Sequence, residues 1–405
     1  MKKHRILIGL IAVLSLGVGY ILSPEKAVDE RIFLRDLAPE IQFSEKKGSP
    51  LLYSSDAGIV AFNSHDIAPE IRGYAGPVKL LVAMDSSGRI TGLRILEHRE
   101  TKNYVQYMET SQYLSQFIGK SVHDPIEVGN DIDGISRATV SVNALAKTAG
   151  DASRIVASQA FGIAVQTKER ASGSAAWLWY LLTFLAALGS YFATLRSKKL
   201  LRLRDITMAA GIVVIGLYLS TPFSVLHVFN LALLRPSASL LWYLIMASTA
   251  LSVVLAGRFY CGWLCPFGAL SEFIARLPFR KWGMSHKMDD RWRNAKYIFF
   301  GLAMLAVFLG RRSDFGNYET YVTLFSFSGN YLAWTLVGLS LAANLRVERF
   351  WCRYLCPVAA LTGLLCRKTV GYRSRQDCPM ANKPDPLIAE CIRCNRCYTG
   401  TGETT

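Results

Sequence analysis

Residues 258–270 read RFYCGWLCPFGAL, and residues 349–361 read RFWCRYLCPVAAL. The shared pattern, R-F-aromatic-C-x-aromatic-L-C-P-x-x-A-L, recurs at an interval of 91 residues. Two cysteines, a proline and two aromatics do not fall into register twice by accident. Each copy follows an apolar run, which makes each the exit of a membrane helix. Cys261 and Cys265, like Cys352 and Cys356, are four apart, a spacing that puts both on one face of a helix turn. Pro266 and Pro357 disfavour helix at the preceding cysteine and suit the first turn of a new one. The second cysteine of each pair therefore sits at a backbone break, where a thiolate is presented to a metal or redox partner. Small apolar packing at a membrane exit would account for one cysteine, not for a duplicated C-x3-C-P.

Half of the 405 residues are hydrophobic, a composition that suits a polytopic membrane protein with one soluble domain. The net charge of +16 would fit a nucleic-acid binder, but its distribution excludes that class. Residues 24–173 hold 17 Lys/Arg and 19 Asp/Glu, and the rest of the chain holds 29 against 11. The excess lies in short loops beside apolar runs, which is the positive-inside pattern of cytoplasmic loops. All nine cysteines lie at or beyond position 261. Residues 24–173 thus contain no disulfide scaffold, and the thiols lie where they stay reduced.

Lys2, Lys3 and Arg5 precede the 17-residue apolar run Ile6 to Leu22, read as an uncleaved anchor. A cleaved signal peptide is the other reading, and either exports the next segment. Residues 24–173 then read as an α+β domain. Val78–Asp85 and Arg89–Glu97 alternate about Ser86-Ser87-Gly88, a hairpin signal. Tyr104–Ile118 and Val142–Ala160 have helical periodicity. Five apolar runs come next, at 175–195, 206–222, 238–257, 297–310 and 328–345. Alternation from an exported domain places both C-x3-C-P motifs and the tail inside, in agreement with the basic loops. The expected plan is an anchor at 1–23, an exported domain at 24–173, a five-helix membrane domain at 174–345 and a cytoplasmic tail at 346–405. The fold class is a polytopic α-helical membrane protein of about six helices.

The tail carries Cys378-Pro379 and Cys391-Ile392-Arg393-Cys394-Asn395-Arg396-Cys397. C-x2-C-x2-C with a separate Cys-Pro is the bacterial ferredoxin ligand set, here enough for one 4Fe-4S cluster. Four thiolates also suit zinc, the competing reading. Cys261, Cys265, Cys352 and Cys356 are the candidate ligands of a second centre. Arg258 and Arg349 would offset thiolate charge there. His227 reads as structural. Trp177, Trp179, Tyr180, Trp242 and Trp334 read as interface anchors.

Asp133-Gly134-Ile135-Ser136-Arg137-Ala138-Thr139 resembles the D-G-x-S/T-G-A-T signature of FMN-binding domains, with Arg137 in place of the usual glycine. The resemblance implies that a flavin transferase joins FMN to the Thr139 hydroxyl through a phosphoester. Asp133, Ser136 and Ala138 would form the surrounding signature. His98-Arg99-Glu100-Thr101 is similar to the H-x-E-T segment of those domains, which implies flavin contacts for Glu100 and Thr101. Thr139 just ahead of a helix would also set a phosphate against that helix's free N–H groups. N-capping is the plainer role for Ser136, Thr139 and Ser141.

Taken whole, the chain resembles the NosR/NirI group of membrane iron–sulfur flavoproteins and their shorter RdhC/PceC-like relatives, encoded with reductive dehalogenases. It has a single C-x2-C-x2-C triplet where full-length NosR has two. The resemblance implies electron transfer across a cytoplasmic membrane, from the quinone pool or a cytoplasmic donor to covalent FMN outside. An exported reductase, or its maturation, would be served. A membrane-bound redox-sensing expression regulator is the alternative. A thiol-based metal reductase or maturation factor is a third reading.

Overall fold

The computed structural model describes residues 2–22, 29–48, 50–71, 73, 76–98, 100, 106–135, 139–165, 175–235, 237, 239–282, 286–313, 318–327, 329–366 and 390–396. They fall into two compact units. One is Pro24–Gly173 with Leu234–Ser239, and the other is Met1–Ser23, Ser174–Leu233 and Leu240–Thr405. Helix α1 (Lys2–Leu22) opens the chain and belongs to the second.

The first unit is an α+β fold on a four-stranded antiparallel sheet in the order β1 (Tyr53–Ser54), β2 (Val60–Asn63), β3 (Lys79–Met84) and β4 (Ile90–Glu97). The expected hairpin is β3–β4, in register with Leu81 opposite Arg94 and Val82 opposite Leu93. Its turn is fixed by Asp85, whose Oδ1 accepts from the N–H groups of Ser87 and Arg89 at 2.9 Å each. Gly88 takes the positive φ of +78° that the turn requires. Strand β3 buries both faces. Leu80, Val82 and Met84 pack on α3 (Thr139–Phe161), while Leu81 and Ala83 share a second cluster with Leu34 of α2 (Glu30–Leu37).

Two helical expectations shift. Helix α3 begins at Thr139, three residues before the expected Val142, so Thr139 lies in its first turn. Over the expected helix Tyr104–Ile118 the described residues hold only a turn at Ser111–Leu114 and a 3-10 turn at Ser115–Phe117. Thr110 starts that turn abruptly by accepting from the Tyr113 N–H, which ends any continuous helix there.

In the second unit, α4 (Ala176–Arg196) precedes two equivalent series. The first runs α5 (Leu201–Ala210, continued by a π-helix Gly211–Tyr218), α6 (Val225–Ala232), α7 (Leu240–Ala256), α8 (Phe259–Trp263) and α9 (Pro266–Ala275). The second runs α10 (Ala295–Gly310), α11 (Thr320–Ser326), α12 (Tyr331–Asn344), α13 (Phe350–Tyr354) and α14 (Pro357–Leu365). The duplication visible as thirteen residues therefore spans five elements.

Among the described residues two helices, Ala176–Arg196 and Arg291–Gly310, are long and apolar enough to cross a membrane. Leu7–Leu22, Leu240–Ala256 and Tyr331–Asn344 are apolar but shorter. The expectation of six spans meets a physical obstacle in the run 206–222. It loosens into the π-helix and then breaks at Ser220, with φ at +50°, before α6 begins.

Tyr180 and Trp242, expected at the membrane interface, are buried. The Tyr180 hydroxyl bonds Ser248 Oγ at 2.6 Å, and Trp242 stacks on His227 with ring centroids 5.9 Å apart. Trp177, Trp179 and Trp334 are exposed.

Candidate functional site

The C-x3-C-P motifs do not place their cysteines on one helical face. Cys261 lies within α8 and Cys352 within α13, but Cys265 and Cys356 are the N-caps of α9 and α14. The following proline moves each of these out of helical conformation, to ψ of 115° and 121°. Each thiol then turns onto its new helix. The Gly268 N–H donates to Cys265 Sγ and the Ala359 N–H to Cys356 Sγ, both at 3.4 Å.

The four thiols lie within electrostatic reach of one another. Cys265 feels Cys352 and Cys261, and Cys356 feels Cys352, Cys261 and Cys265. The repeated arginines are fully buried beside them. Arg349 donates through Nη1 to the Cys261 carbonyl at 2.7 Å and through Nη2 to Glu272 Oε2 at 2.7 Å. Arg258 donates through Nη1 to Glu390 Oε2 at 3.0 Å. Its Nε and Nη2, and Nε1 of Trp351, are buried donors without a hydrogen-bond partner among the described residues.

This set fits an anionic iron–sulfur cluster. It supplies four thiols, two of which already accept from backbone N–H groups, together with two buried cations and buried donors left without a partner among the described residues. Among the described residues no three His, Cys, Asp or Glu side chains are grouped to hold a single ion. A four-iron cluster takes one thiolate per iron, so its ligands stand farther apart than those of one ion.

Sequence reasoning missed how the segment 390–396 docks onto the first repeat. The Ile392 carbonyl occupies the space a β-carbon on Gly262 would fill. Trp263 Nε1 donates to the Arg393 carbonyl at 2.9 Å, and Asn395 Nδ2 donates to Thr194 Oγ1 at 2.8 Å. Glu390 pairs with Arg258 and Lys296, while Glu272 pairs with Arg204, Arg349 and Arg396. The second repeat has Arg353 where the first has Gly262, and so lacks the socket. Cys391 and Cys394 are thereby held at the bundle. Cys378 and Cys397 lie outside the described residues.

In the first unit, Glu100 is buried and its Oε2 accepts from Ser141 Oγ in α3 at 2.6 Å. A β-carbon at Gly73 would meet Glu100 Oε1, so the carboxylate lies directly against this glycine. The loop at Asp133 is clamped from both sides. Its carbonyl accepts from Tyr113 Oη at 2.7 Å, and its N–H donates to Gln116 Oε1 at 2.8 Å. Burial pushes the Tyr113 phenol well up, so it stays a donor. Thr101, Ser136, Ala138 and the Thr139 side chain lie outside the described residues. The 23-residue helix opening at Thr139 fits a flavin phosphate, because its first N–H groups lack intrahelical acceptors.

Two family profiles match the chain. A 4Fe-4S binding domain covers residues 238–285 and 330–373, one stretch over each C-x3-C-P motif. An FMN-binding domain covers residues 73–154. The chain is 30% identical to an uncharacterized protein of Methanocaldococcus jannaschii, over 36% of this chain and 61% of that one. It is 30% identical to the regulatory protein NosR of Stutzerimonas stutzeri over 44% of this chain and 27% of NosR. It is 29% identical to the protein NirI of Paracoccus denitrificans over 47% of this chain and 33% of NirI. The chain thus spans less than two thirds of the length of each of these relatives. The chain carries an FMN-binding domain and a 4Fe-4S binding domain, and it is similar to NosR and NirI over less than half of its own length.

Proposed function

We propose that this protein carries electrons across a membrane, from the quinone pool or a cytoplasmic donor to FMN on the far side, in the service of an exported reductase or its maturation. The observation that carries the reading is the gathering of Cys261, Cys265, Cys352 and Cys356 at the junction of two repeats, where the 4Fe-4S match falls. When bound, an iron–sulfur cluster supplies one-electron transfer, and FMN couples such steps to two-electron chemistry.

The four repeat cysteines would hold one cluster, and Cys378, Cys391, Cys394 and Cys397 a second. Arg258 and Arg349 neutralise negative charge at the first, and the Gly268 and Ala359 N–H groups orient two of its thiolates. In the flavin domain Thr139 would carry FMN covalently, with Glu100, Thr101, Asp133, Ser136 and Ala138 around it.

The membrane reading gives six crossings with residues 24–173 exported, supported by the one-sided basic loops. The exported reductase served is a reductive dehalogenase or nitrous oxide reductase. Membranes containing the protein are given quinol anaerobically and flavin absorbance is followed. Bleaching of the flavin band is expected. A flavin that dithionite reduces but quinol and cytoplasmic extract do not would favour the redox-sensing regulator.

A further inference from the structure

Among the described residues of the second unit three glutamates are buried, and two of them are matched by cations. Glu272 has Arg204, Arg349 and Arg396, and Glu390 has Arg258 and Lys296. Glu319 differs. Its carboxylate bonds the Ser224 hydroxyl, accepts from the Val225 N–H at 3.0 Å and bonds Tyr321, all neutral groups. It is 2% exposed. A buried carboxylate whose described partners are all neutral holds a proton more readily than a free one, so a modest change in the charge around it decides whether it is ionised.

Its position is as unusual as its partners. Glu319 is the N-cap of α11, while its side chain reaches the start of α6, the equivalent short helix of the other series. It therefore ties the two repeats together at a broken run, where the backbone of Phe223 is held from both sides. The Phe223 N–H donates to Tyr260 Oη at 2.7 Å, and Tyr321 Oη donates to the Phe223 carbonyl at 3.3 Å. Tyr260 precedes Cys261, and Tyr321 lies within electrostatic reach of Cys356 and Cys265. The other titratable groups facing this spot are Tyr318, whose ring stands 6.3 Å from Trp351, and His227, stacked on Phe223 at 5.7 Å. A buried ionisable group beside a helix break is a candidate functional position.

We propose that Glu319 is the proton acceptor coupled to reduction of the paired-cysteine centre. One electron from a donor of low potential enters the centre, and one proton from water binds the Glu319 carboxylate. Both leave on reoxidation, so the net charge of the buried region is unchanged. The reason is electrostatic: negative charge added at the cysteines reaches Tyr321, which bonds the Glu319 carboxylate, and in a low-dielectric interior it raises that carboxylate's proton affinity. Glu272 and Glu390, held by arginines and lysine, stay ionised throughout. The inference rests on the repeat cysteines holding a redox centre.

The test is redox-difference infrared spectroscopy on the full chain in detergent, with dithionite as reductant, alongside a potentiometric titration at several pH values. Wild-type protein is expected to gain a protonated-carboxyl C=O band on reduction, and the potential of its repeat centre is expected to fall as pH rises. Glu319→Gln, which keeps a hydrogen-bonding side chain of the same size, should lose both while retaining the iron absorbance. Glu319→Asp should keep both. A band that persists in Glu319→Gln, or a pH-independent potential in the wild type, overturns the proposal. If Cys352→Ser leaves every redox signal of the wild type in place, the repeat cysteines hold no centre. The underlying reading then fails, and the proposal with it.

Discussion

Arg349, from the second repeat, donates to the backbone carbonyl of Cys261, in the first, at 2.7 Å. That bond joins the two motifs directly, and the same guanidinium holds Glu272 in its other fork. Removing one member of a buried pair leaves an uncompensated charge and costs about 3–5 kcal/mol. Arg349→Ala is therefore expected to lower the unfolding temperature in detergent and strip iron from the protein. Arg349→Lys, a point charge without the fork, should fall between. Unaltered stability and iron in Arg349→Ala would show that the bond is incidental.

Gly262→Ala tests the docking of the tail. A β-carbon there displaces the Ile392 carbonyl, so the segment 390–396 should lift and Cys391 and Cys394 should react faster with a thiol reagent. Ala at Gly301 of α10, where a β-carbon meets nothing, is the control. Equal labelling in both variants would mean that the socket does not hold the tail.

In the first unit, Glu30 lies among Lys46, Asn63 and Tyr53. Burial alone would raise its pKa, but the bonds from Asn63 and Lys46 win and hold it below the ordinary 4.5. Its stabilising effect is thus complete above the unfolded pKa and is lost as pH falls through the folded one. A partly exposed pair of this kind contributes about 1 kcal/mol. Acid titration of this unit's unfolding should show a steeper loss below about pH 4.5 in the wild type than in Glu30→Gln. Parallel acid limbs would assign the acid sensitivity to other carboxylates.

Thr139→Ala should abolish denaturation-resistant flavin fluorescence while the protein stays in the membrane, because the hydroxyl is the proposed attachment point. Fluorescence that survives in a denaturing gel would place the attachment elsewhere.

The sequence made the repeat legible because Cys, Pro and aromatics are chemically distinctive and stood in register. The equivalence of α6 and α11 was hidden, since VLHVFNLA and TYVTLFS share only their position in the series. Nothing in residue type marks Ser224 and Glu319 as meeting across the repeats. The buried acids left a fainter signal. Glu272 is the only acid between Asp205 and Asp289, in a basic and apolar stretch, and such an acid calls for buried arginines. The hairpin was readable from alternation, whereas the burial of both faces of β3 depends on α2 and α3, which arrive from elsewhere in the chain.

The central claim is that the two repeats build one redox centre and not two dithiols. Iron and sulfide are measured per chain in a full-length background with Cys378, Cys391, Cys394 and Cys397 all changed to Ser. That background is predicted to keep about four irons. Either Cys261→Ser or Cys352→Ser, added to it, is predicted to remove them all. Iron unchanged by either substitution, or a background with no iron, would contradict the shared centre.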